Sequence, residues 1–329
     1  MAERGRSIIP GGLAAWSLVA LIGVALCAPL IANDRPLLAV IDDRLAAPAL
    51  VDLPILGPLF DRASIRSVAW ETPRAGVRTL IRAPIPHSYR GIRLDEALLP
   101  PGRTHLLGTD ALGRDLLARL IHGTRSSLLV GFGATAIALL IGGVLGGLAG
   151  MRGGTLDLAI VRLADVVACF PPFIMALAFV AAAGRGGLLP IVAGIALNRW
   201  TGMARYVRGE ILRQRGEESW SAARSTGASP LRLATRHLLP LLAPPLAVLV
   251  SFGAAHAIVL ESSLSFIGLG VEPPSPSWGV MLAEARQTID AAWWPVLFPA
   301  IALFTVLGCL CAAAERMASE GERGAGSTG

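Results

Sequence analysis

Several stretches of about 20 residues in this chain contain no charged side chain, and they limit its possible folds more than any other feature. Such a stretch matches the ~30 Å hydrocarbon core of a bilayer when it forms a helix. The chain has 329 residues, of which 53% are hydrophobic and 16% charged, whereas a soluble domain carries about 25% charged residues. We therefore predict an all-α integral membrane protein that crosses the bilayer several times.

The apolar stretches predict six transmembrane helices, of which the first covers residues 13–31. A cleaved signal peptide is the alternative for that segment, because arginines precede the apolar run. We favour an uncleaved helix, since the run is longer than a signal-peptide core and lacks a small-residue cleavage site. The other five helices form a core over residues 127–314, at about 127–150, 158–183, 188–206, 241–260 and 293–314.

Two of these helices carry interruptions. Pro171 and Pro172 break the third, and Asn198 and Arg199 weaken the hydropathy of the fourth. Glycine and alanine are abundant throughout the core. Small residues of this kind allow helix backbones to approach closely within a membrane.

A long insert, residues 32–126, follows the first helix. Its proline-rich part, residues 32–104, holds nine prolines, which exclude long helices and favour extended segments and turns. The stretch from Gly113 to Ile121 has one apolar face, so we predict a short amphipathic helix at the outer membrane surface.

The distribution of arginine predicts the orientation of the chain. Arginines cluster in the second-to-third and fourth-to-fifth connections and in the tail, which is typical of cytoplasmic segments. We expect residues 1–12, the loop 207–240 and the tail 315–329 on the cytoplasmic side, and the insert in the periplasm. A nucleic-acid surface is the alternative reading of the basic charge. We expect no nucleic-acid partner, because the arginines flank apolar spans.

All 29 basic residues are arginine, and the chain contains no lysine. A phosphate-binding P-loop requires Gly-x-x-x-x-Gly-Lys-Ser/Thr. The chain therefore cannot bind ATP by that route, and we expect no cofactor on it. If transport is driven by ATP, the ATP and Mg²⁺ must be bound by partner subunits.

The most informative segment is the loop 217–240. Glu217 and Glu218 stand where acidic residues favour a helix start, and Gly227 stands where a helix ends. Ser229 and Pro230 then provide an N-cap and first position for a second short helix. Two short polar helices on a membrane protein indicate a docking surface, with a solvated loop as the alternative.

This segment resembles the EAA loop of ABC importer permeases. The signature of that loop is Glu-Ala-Ala, a glycine four residues after the second alanine, and a downstream Leu-Pro. The matching residues here are Ala222, Ala223, Gly227, Leu239 and Pro240. The resemblance implies a coupling helix that docks into a groove of the ATPase subunit.

One position departs from the signature, because Ser221 stands where the family has glutamate. Glu217 and Glu218 precede Ser221 by about one helical turn and share its face. We hypothesise that these two carboxylates replace the missing polar contacts.

Two further motifs extend the resemblance to dipeptide and oligopeptide permeases over about residues 105–308. Residues 105–115 (HLLGTDALGRD) are similar to the family's entry motif, and residues 261–279 are similar to its outer loop. The long insert, with residues 32–37, resembles the oligopeptide and microcin-type subgroup. Gly308-Cys309 departs from the family's usual Gly-Asp.

The resemblance implies a type I ABC importer permease fold and a bacterial inner-membrane location. It also implies a non-catalytic translocation subunit for peptides or peptide-like solutes. The implied partners are a homologous permease subunit, which would form a heterodimer with this chain, two ATP-binding subunits and a periplasmic substrate-binding protein.

Four charged residues in the spans are candidate structural or pathway groups. Arg162 and Asp165 are three apart, so we predict an ion pair between them, with a substrate contact as the alternative. His256 and Glu261 lie near the end of the fifth span. The tryptophans at 278, 293 and 294 are interpreted as interfacial anchors.

We predict no catalytic residue and no metal site. The His-Glu-x-x-His motif is absent, and no Gly-x-Ser-x-Gly elbow surrounds Ser262. The four cysteines lie in apolar stretches at spacings that suit neither zinc nor a disulfide framework.

Two other classes of protein are alternatives to an ABC permease. A secondary transporter or channel would work without an ATPase and would favour helices broken at mid-membrane, of which Pro171-Pro172 is the clearest instance. A membrane hydrolase would depend on residues such as Ser262 and His256.

Overall fold

The computed structural model describes residues 11–41, 44–53, 77–184, 187–217, 220, 225 and 232–326, and these residues are mostly helical. The helices are α1 Gly11–Ile31, α2 Leu116–Arg152, α3 Gly154–Ala168, α4 Pro172–Ala182, α5 Leu188–Arg215, α6 Leu239–Phe266, α7 Trp278–Ala285 and α8 Trp294–Gly326. A π-helical turn, Leu233–Leu238, precedes α6. Short 3₁₀ turns occupy Pro48–Asp52, Leu94–Glu96 and Arg286–Thr288.

The insert contains a small β-sheet, which departs from the all-α class but agrees with the extended segments predicted there from the prolines. The strands are β1 Leu38–Ile41, β2 Arg44–Ala46 and β3 Val77–Ile81, in the antiparallel order β2-β1-β3. In the centre of the sheet, Val40 lies opposite Leu45 on one side and Arg78 on the other. Short runs of β-branched and aliphatic residues between prolines favour strands over helices.

Three helices among the described residues, α2, α6 and α8, are long and apolar enough to cross a bilayer. The pair α3 and α4 adds a fourth span if it is counted as one broken helix, because the two are bent by 85° at their junction. This is the interruption predicted at Pro171 and Pro172. Helix α1 is apolar over Trp16–Ile31, the part in which the structure describes the side chains, and α5 carries several arginines.

The predicted amphipathic helix at Gly113–Ile121 is not a separate surface element. Its residues from Leu116 onward are the first turns of the 37-residue helix α2. Asp115 favours a start at this point, because its Oδ1 accepts a hydrogen bond of 2.7 Å from the Ala118 amide. No proline lies between Ile121 and Ser127 to separate these turns from the apolar span, and Gly123 is accommodated inside the helix.

The chain divides into two compact units. The first unit comprises Met1–Ser17, Leu129–Leu264 and Val306–Gly329, and the second comprises Leu18–Leu128 and Ser265–Thr305. The first unit therefore contains α3 to α6 and most of α2. The second contains the insert, α7 and the beginning of α8.

Within the first unit, α2 and α5 pack through a row of glycines four residues apart. A Cβ at Gly142 would lie 2.6 Å from the Trp200 backbone oxygen, and one at Gly146 would meet the backbone of Ala204. Gly150 faces Ile211 in the same way. Small residues thus bring the two backbones together, as expected for helix packing in lipid.

The bend between α3 and α4 leaves a backbone carbonyl outside the helical ladder. Asn198 of α5 donates its side-chain amide to the carbonyl oxygen of Phe170 at 3.1 Å. An unpaired carbonyl is costly where water is scarce. The polar residue that weakens the hydropathy of α5 therefore stabilises the break in its neighbour.

Candidate functional site

The loop 217–240 is the first candidate site, and the structure describes only part of it. Glu218, Ser221, Ala222, Ala223 and Gly227 lie outside the described residues. Glu217, Leu239 and Pro240 are described, and all three are exposed. The structure describes mainly the base of the loop, where α5 ends and α6 begins.

An apolar cluster holds the two ends of the loop together. Val207 and Ile211 near the end of α5 are buried against Leu238 of the π-helical turn and Leu242 of α6. The partly buried residues that pack on this cluster are Met151, Tyr206, Trp220 and Leu246. Trp220 therefore attaches the earlier part of the loop 217–240 to the cluster, and Leu238 attaches the later part.

Three charged side chains, Glu210, Arg213 and Glu217, interact with one another at the end of α5. Arg213 contacts both carboxylate oxygens of Glu210, at 2.5 to 3.1 Å. These hydrogen bonds lower the pKa of the Glu210 carboxyl from its ordinary value. Arg213 Nη1 also lies 3.8 Å from Glu217 Oε1. Glu217 thus joins a charged row that continues from α5 into the loop.

Two contacts tie α5 to neighbouring helices near the loop. The Arg208 guanidinium binds both oxygens of Asp157 on α3, at 2.5 and 2.7 Å. Arg215 Nη1 donates to the backbone oxygen of Gly150 on α2 at 2.9 Å. Bidentate arginine–carboxylate pairs fix orientation as well as distance. The base of the loop is therefore attached to α3 and α2 as well as to α5.

The motif at residues 107–115 is the second candidate site, and it folds into a tight polar turn in the second unit. Asp110 Oδ1 accepts hydrogen bonds from the backbone amides of Leu112 and Arg114, at 2.8 and 3.0 Å. Thr109 Oγ1 accepts from the Leu99 amide at 2.8 Å and donates to the Glu96 carbonyl at 2.5 Å.

Glycine is required at position 108 by both its conformation and its surroundings. Its φ of +80° lies in the left-handed region. A Cβ at this position would lie 2.6 Å from the Leu99 carbonyl oxygen and 2.8 Å from the Trp294 ring. The Trp294 indole donates to the Thr109 carbonyl at 3.1 Å. The motif is thus closed by the first turn of α8.

Charged side chains connect the same motif to α7, the helix that begins at the end of the outer-loop motif. Asp110 Oδ2 accepts from Arg114 Nε at 2.7 Å and from Arg119. Both arginines also contact Glu284 Oε2 on α7, at 2.7 and 2.6 Å respectively. Arg119 is only 3% exposed. Two carboxylates and two guanidiniums therefore balance one another where water is largely excluded.

The outer-loop motif contributes Trp278 to this arrangement. Trp278 is buried, its indole donates to the Leu120 carbonyl at 3.3 Å, and its ring packs on Gly123. The interpretation of three interfacial tryptophans is therefore wrong for Trp278 and Trp294, which are buried in the second unit. It fits Trp293, which is 56% exposed. Two motifs far apart in sequence thus form one scaffold.

The predicted ion pair between Arg162 and Asp165 is not formed. Asp165 Oδ1 instead accepts a hydrogen bond from Arg205 Nη2 on α5 at 3.0 Å. The two helices pack side by side, so the carboxylate finds a cation on its neighbour, and Arg162 is exposed.

His256 and Glu261 are not brought together. His256 is exposed, whereas Glu261 is fully buried. Ser262 Oγ lies 3.5 Å from Glu261 Oε2, and Ser263 Oγ donates to the Val259 carbonyl at 2.8 Å. These serine hydroxyls are engaged in local hydrogen bonds rather than in a nucleophile–base arrangement.

Sequence reasoning missed three residues that organise these sites: Asp157, Arg208 and Glu284. Arg208 was counted only as a topology signal, and its partner is 51 residues away. Glu284 lies 170 residues from Arg114. A single sequence contains no sign of such distant pairs, apart from the general rule that a charge near a membrane needs a partner.

Comparison with known proteins identifies the class of protein. Residues 124–316 match the family of binding-protein-dependent transport system inner membrane components. Over 230 residues the chain is 38% identical to the dipeptide transport system permease protein DppC of Bacillus subtilis, covering 68% of this chain and 72% of that protein. It is also 38% identical to a probable D,D-dipeptide permease, DdpC, of Escherichia coli, covering 68% of this chain and 74% of that one.

A third relative is the glutathione transport system permease protein GsiD of Pectobacterium atrosepticum, which is 39% identical over 65% of this chain and 70% of that protein. Among solved structures, the chain is similar to a chain of the MetNI methionine ABC transporter in an inward-facing conformation. That comparison has a TM-score of 0.48 and 19% sequence identity, and it covers 63% of this chain and 95% of that chain.

The chain belongs to the family of inner membrane components of binding-protein-dependent transport systems. It is a non-catalytic, multi-pass permease subunit of an ABC importer, in which ATP hydrolysis takes place on partner subunits.

Proposed function

We propose that this chain is the translocation subunit of an importer for peptides or peptide-like solutes. The observation that supports this most directly is its similarity to permeases of dipeptide and glutathione transport. The scaffold built from residues 107–119, Glu284 and Trp294 adds support, because it joins the motif 105–115 to α7, the helix that begins within the outer-loop motif 261–279.

The coupling step is assigned to the loop 217–240. Its base is well fixed, since an apolar cluster, a bidentate ion pair to α3 and a hydrogen bond to α2 all converge there. Exposed residues at a rigid base suit a docking surface, because little side-chain freedom is lost on binding. We propose that Glu217, Glu218, Ser221, Ala222, Ala223 and Gly227 contact the ATPase subunit, with Leu239 and Pro240 at the start of α6.

The remaining architecture follows the same proposal. Six helices in a type I arrangement place residues 1–12 and 315–329 in the cytoplasm and residues 32–126 in the periplasm. A homologous permease subunit completes the pathway as a heterodimer. Two ATP-binding subunits bind ATP and Mg²⁺, and a periplasmic binding protein delivers the solute.

The test is reconstitution in proteoliposomes with candidate ATPase, second permease and binding-protein subunits. We expect uptake of labelled di- and tripeptides that requires ATP and all four components. Uptake by this chain alone would contradict the proposal and favour a secondary transporter.

The role of the two glutamates is tested in the same system. We expect the double substitution Glu217→Ala and Glu218→Ala to reduce binding-protein-stimulated ATP hydrolysis several-fold, whereas Ser221→Ala leaves it nearly unchanged. Asp290→Ala serves as the control, because Asp290 is exposed and lies far from the loop in sequence. The opposite pattern, with only Ser221→Ala impaired, would show that the serine carries the contact itself.

A further inference from the structure

A second polar cluster lies in the insert; it shares Asp115 with the motif 107–115, but its two histidines lie outside the scaffold of residues 107–119, Glu284 and Trp294. One ligand atom from each of His87, His105 and Asp115 lies within 4.8 Å of the other two. The three side chains line a cavity of about 180 Å³ in the second unit, together with Glu96. Three arginines and three carboxylates line this cavity, so its charge does not exclude a cation: Arg35, Arg82, Arg93, Asp34, Glu96 and Asp115.

His105 is held in one orientation at the centre of this cluster. Its Nδ1 lies 2.8 Å from Asp115 Oδ2, and the other Asp115 oxygen accepts from the Ala118 amide at 2.7 Å. The carboxylate is an acceptor, so Nδ1 carries a proton, and in the neutral imidazole Nε2 then has the lone pair. A histidine ligand is commonly oriented by a carboxylate in this way.

The Nε2 atom of His105 is buried and lacks a hydrogen-bond partner among the residues that the structure describes. His105 itself is only 4% exposed. Glu96 Oε2 lies 3.4 Å from this nitrogen without forming a hydrogen bond to it. Two ligand atoms of a tetrahedral site with bonds of about 2.0–2.1 Å are separated by about 3.3 Å. The spacing therefore matches one edge of a metal coordination sphere.

His87 is the neighbour of His105 in this cluster. Its Nε2 lies 2.9 Å from the Thr104 carbonyl oxygen, which can only accept, so Nε2 carries the proton and Nδ1 has the lone pair. The rings of His87 and His105 are 4.5 Å apart between centroids and tilted by 36°. Both histidines thus have their lone pairs fixed by a protein acceptor on the opposite nitrogen.

We propose that this cluster binds a divalent transition-metal ion of the zinc, cobalt or nickel type. The first two ligands are His105 Nε2 and the Glu96 carboxylate, which lie 3.4 Å apart; His87 Nδ1, from the neighbouring ring, would complete the site, and Asp115 orients His105. Two imidazoles and one carboxylate suit these ions better than Ca²⁺ or Mg²⁺, which prefer oxygen. The sequence prediction of no metal site considered only cysteine spacing and the His-Glu-x-x-His motif, and neither applies here.

A proton on His105 Nε2 is the competing explanation for the short distance between this nitrogen and Glu96. If His105 were doubly protonated, it would bridge Asp115 and Glu96 as an imidazolium, and no metal would be needed. Metal binding and protonation exclude each other at Nε2, so an experiment can separate them.

The experiment is metal analysis of the full-length protein, purified in detergent through a tag without histidine. The protein is dialysed against micromolar Zn²⁺ or Co²⁺, and bound metal is measured by mass spectrometry. We expect one metal ion per chain, and the Co²⁺ form should show the visible absorption of a tetrahedral N/O site. Glu96→Gln and His87→Gln should each weaken binding at least 10-fold, and Asp115→Asn by about 10- to 100-fold.

His256→Ala is the matched control, because it removes an exposed histidine from α6 and should retain one metal ion per chain. His105 is buried, so its substitution risks misfolding. Glu96 and His87 are partly exposed, and their variants can be compared as folded proteins. Equal metal binding by the wild type, Glu96→Gln and His87→Gln would overturn the proposal. So would a metal-free wild type whose His105 shows the nitrogen shifts of an imidazolium.

Discussion

The glycine row on α2 allows a sharp test of how the first unit is held together. A Cβ at Gly146 would meet the backbone oxygen of Ala204 and lie 2.9 Å from its Cα. These are backbone atoms of α5, so they cannot rotate away as a flexible side chain could. Gly147, the next residue, has no atom within 4 Å of the same position. We compare Gly146→Ala with Gly147→Ala.

The expected magnitude follows from what the two variants share. Replacing glycine by alanine inside a helix favours the helix by about 1 kcal/mol in both. Only Gly146→Ala also forces α2 and α5 apart, and overpacking of this kind costs about 1–3 kcal/mol. The helix-propensity gain cancels in the comparison, so Gly146→Ala should be less stable than Gly147→Ala by about 1–3 kcal/mol.

The measurement is unfolding of the purified protein in mixed micelles by increasing SDS, followed by tryptophan fluorescence. Trp200 is buried in the same interface, beside Gly142 and Ala204, and reports on its loss. Equal stability of the two alanine variants would refute the proposed packing. Greater destabilisation by Gly147→Ala would show that the opposite face of α2 is the buried one.

Two further predictions concern ion pairs, and Arg213→Ala is the surface control for both. A double-mutant cycle of Arg208→Ala and Asp157→Asn should give a coupling energy of about 1 kcal/mol in the same unfolding assay, because the pair is bidentate and partly shielded. Arg119→Ala should destabilise the protein by about 1.5–3 kcal/mol, since Asp110 and Glu284 each lose one charged hydrogen bond and keep Arg114 as a partner. A loss no larger than that of Arg213→Ala would show that Glu284 and its partners are solvated.

Much of the membrane part of the fold could be predicted from the sequence, because hydropathy and proline act locally. The apolar runs that became α2, α6 and α8, and the break between α3 and α4, depend on neighbouring residues alone. The exact start of α2 was missed, since the cap at Asp115 depends on a turn that the apolar pattern does not encode.

The pairings between elements could not be predicted. Asp165 could pair with Arg162 by spacing alone, and the choice of Arg205 depends on how α3 packs on α5. His87 and His105 are 18 residues apart, and only the fold of the insert brings their rings together. The sheet in the insert depends on pairing between β1 and β3, which a proline-rich sequence does not suggest.

The hydrogen bond from Asn198 to Phe170 links the position of α5 to the junction between α3 and α4. Asn198 lies 17 residues before Arg215, which is a distance of about 26 Å along a helix. Tilting α5 by about 5° around the base of the loop would therefore move Asn198 by roughly 2 Å. A hydrogen bond of 3.1 Å does not survive such a shift. Any tilt of that size must either release the Phe170 carbonyl or move the junction of α3 and α4 with it.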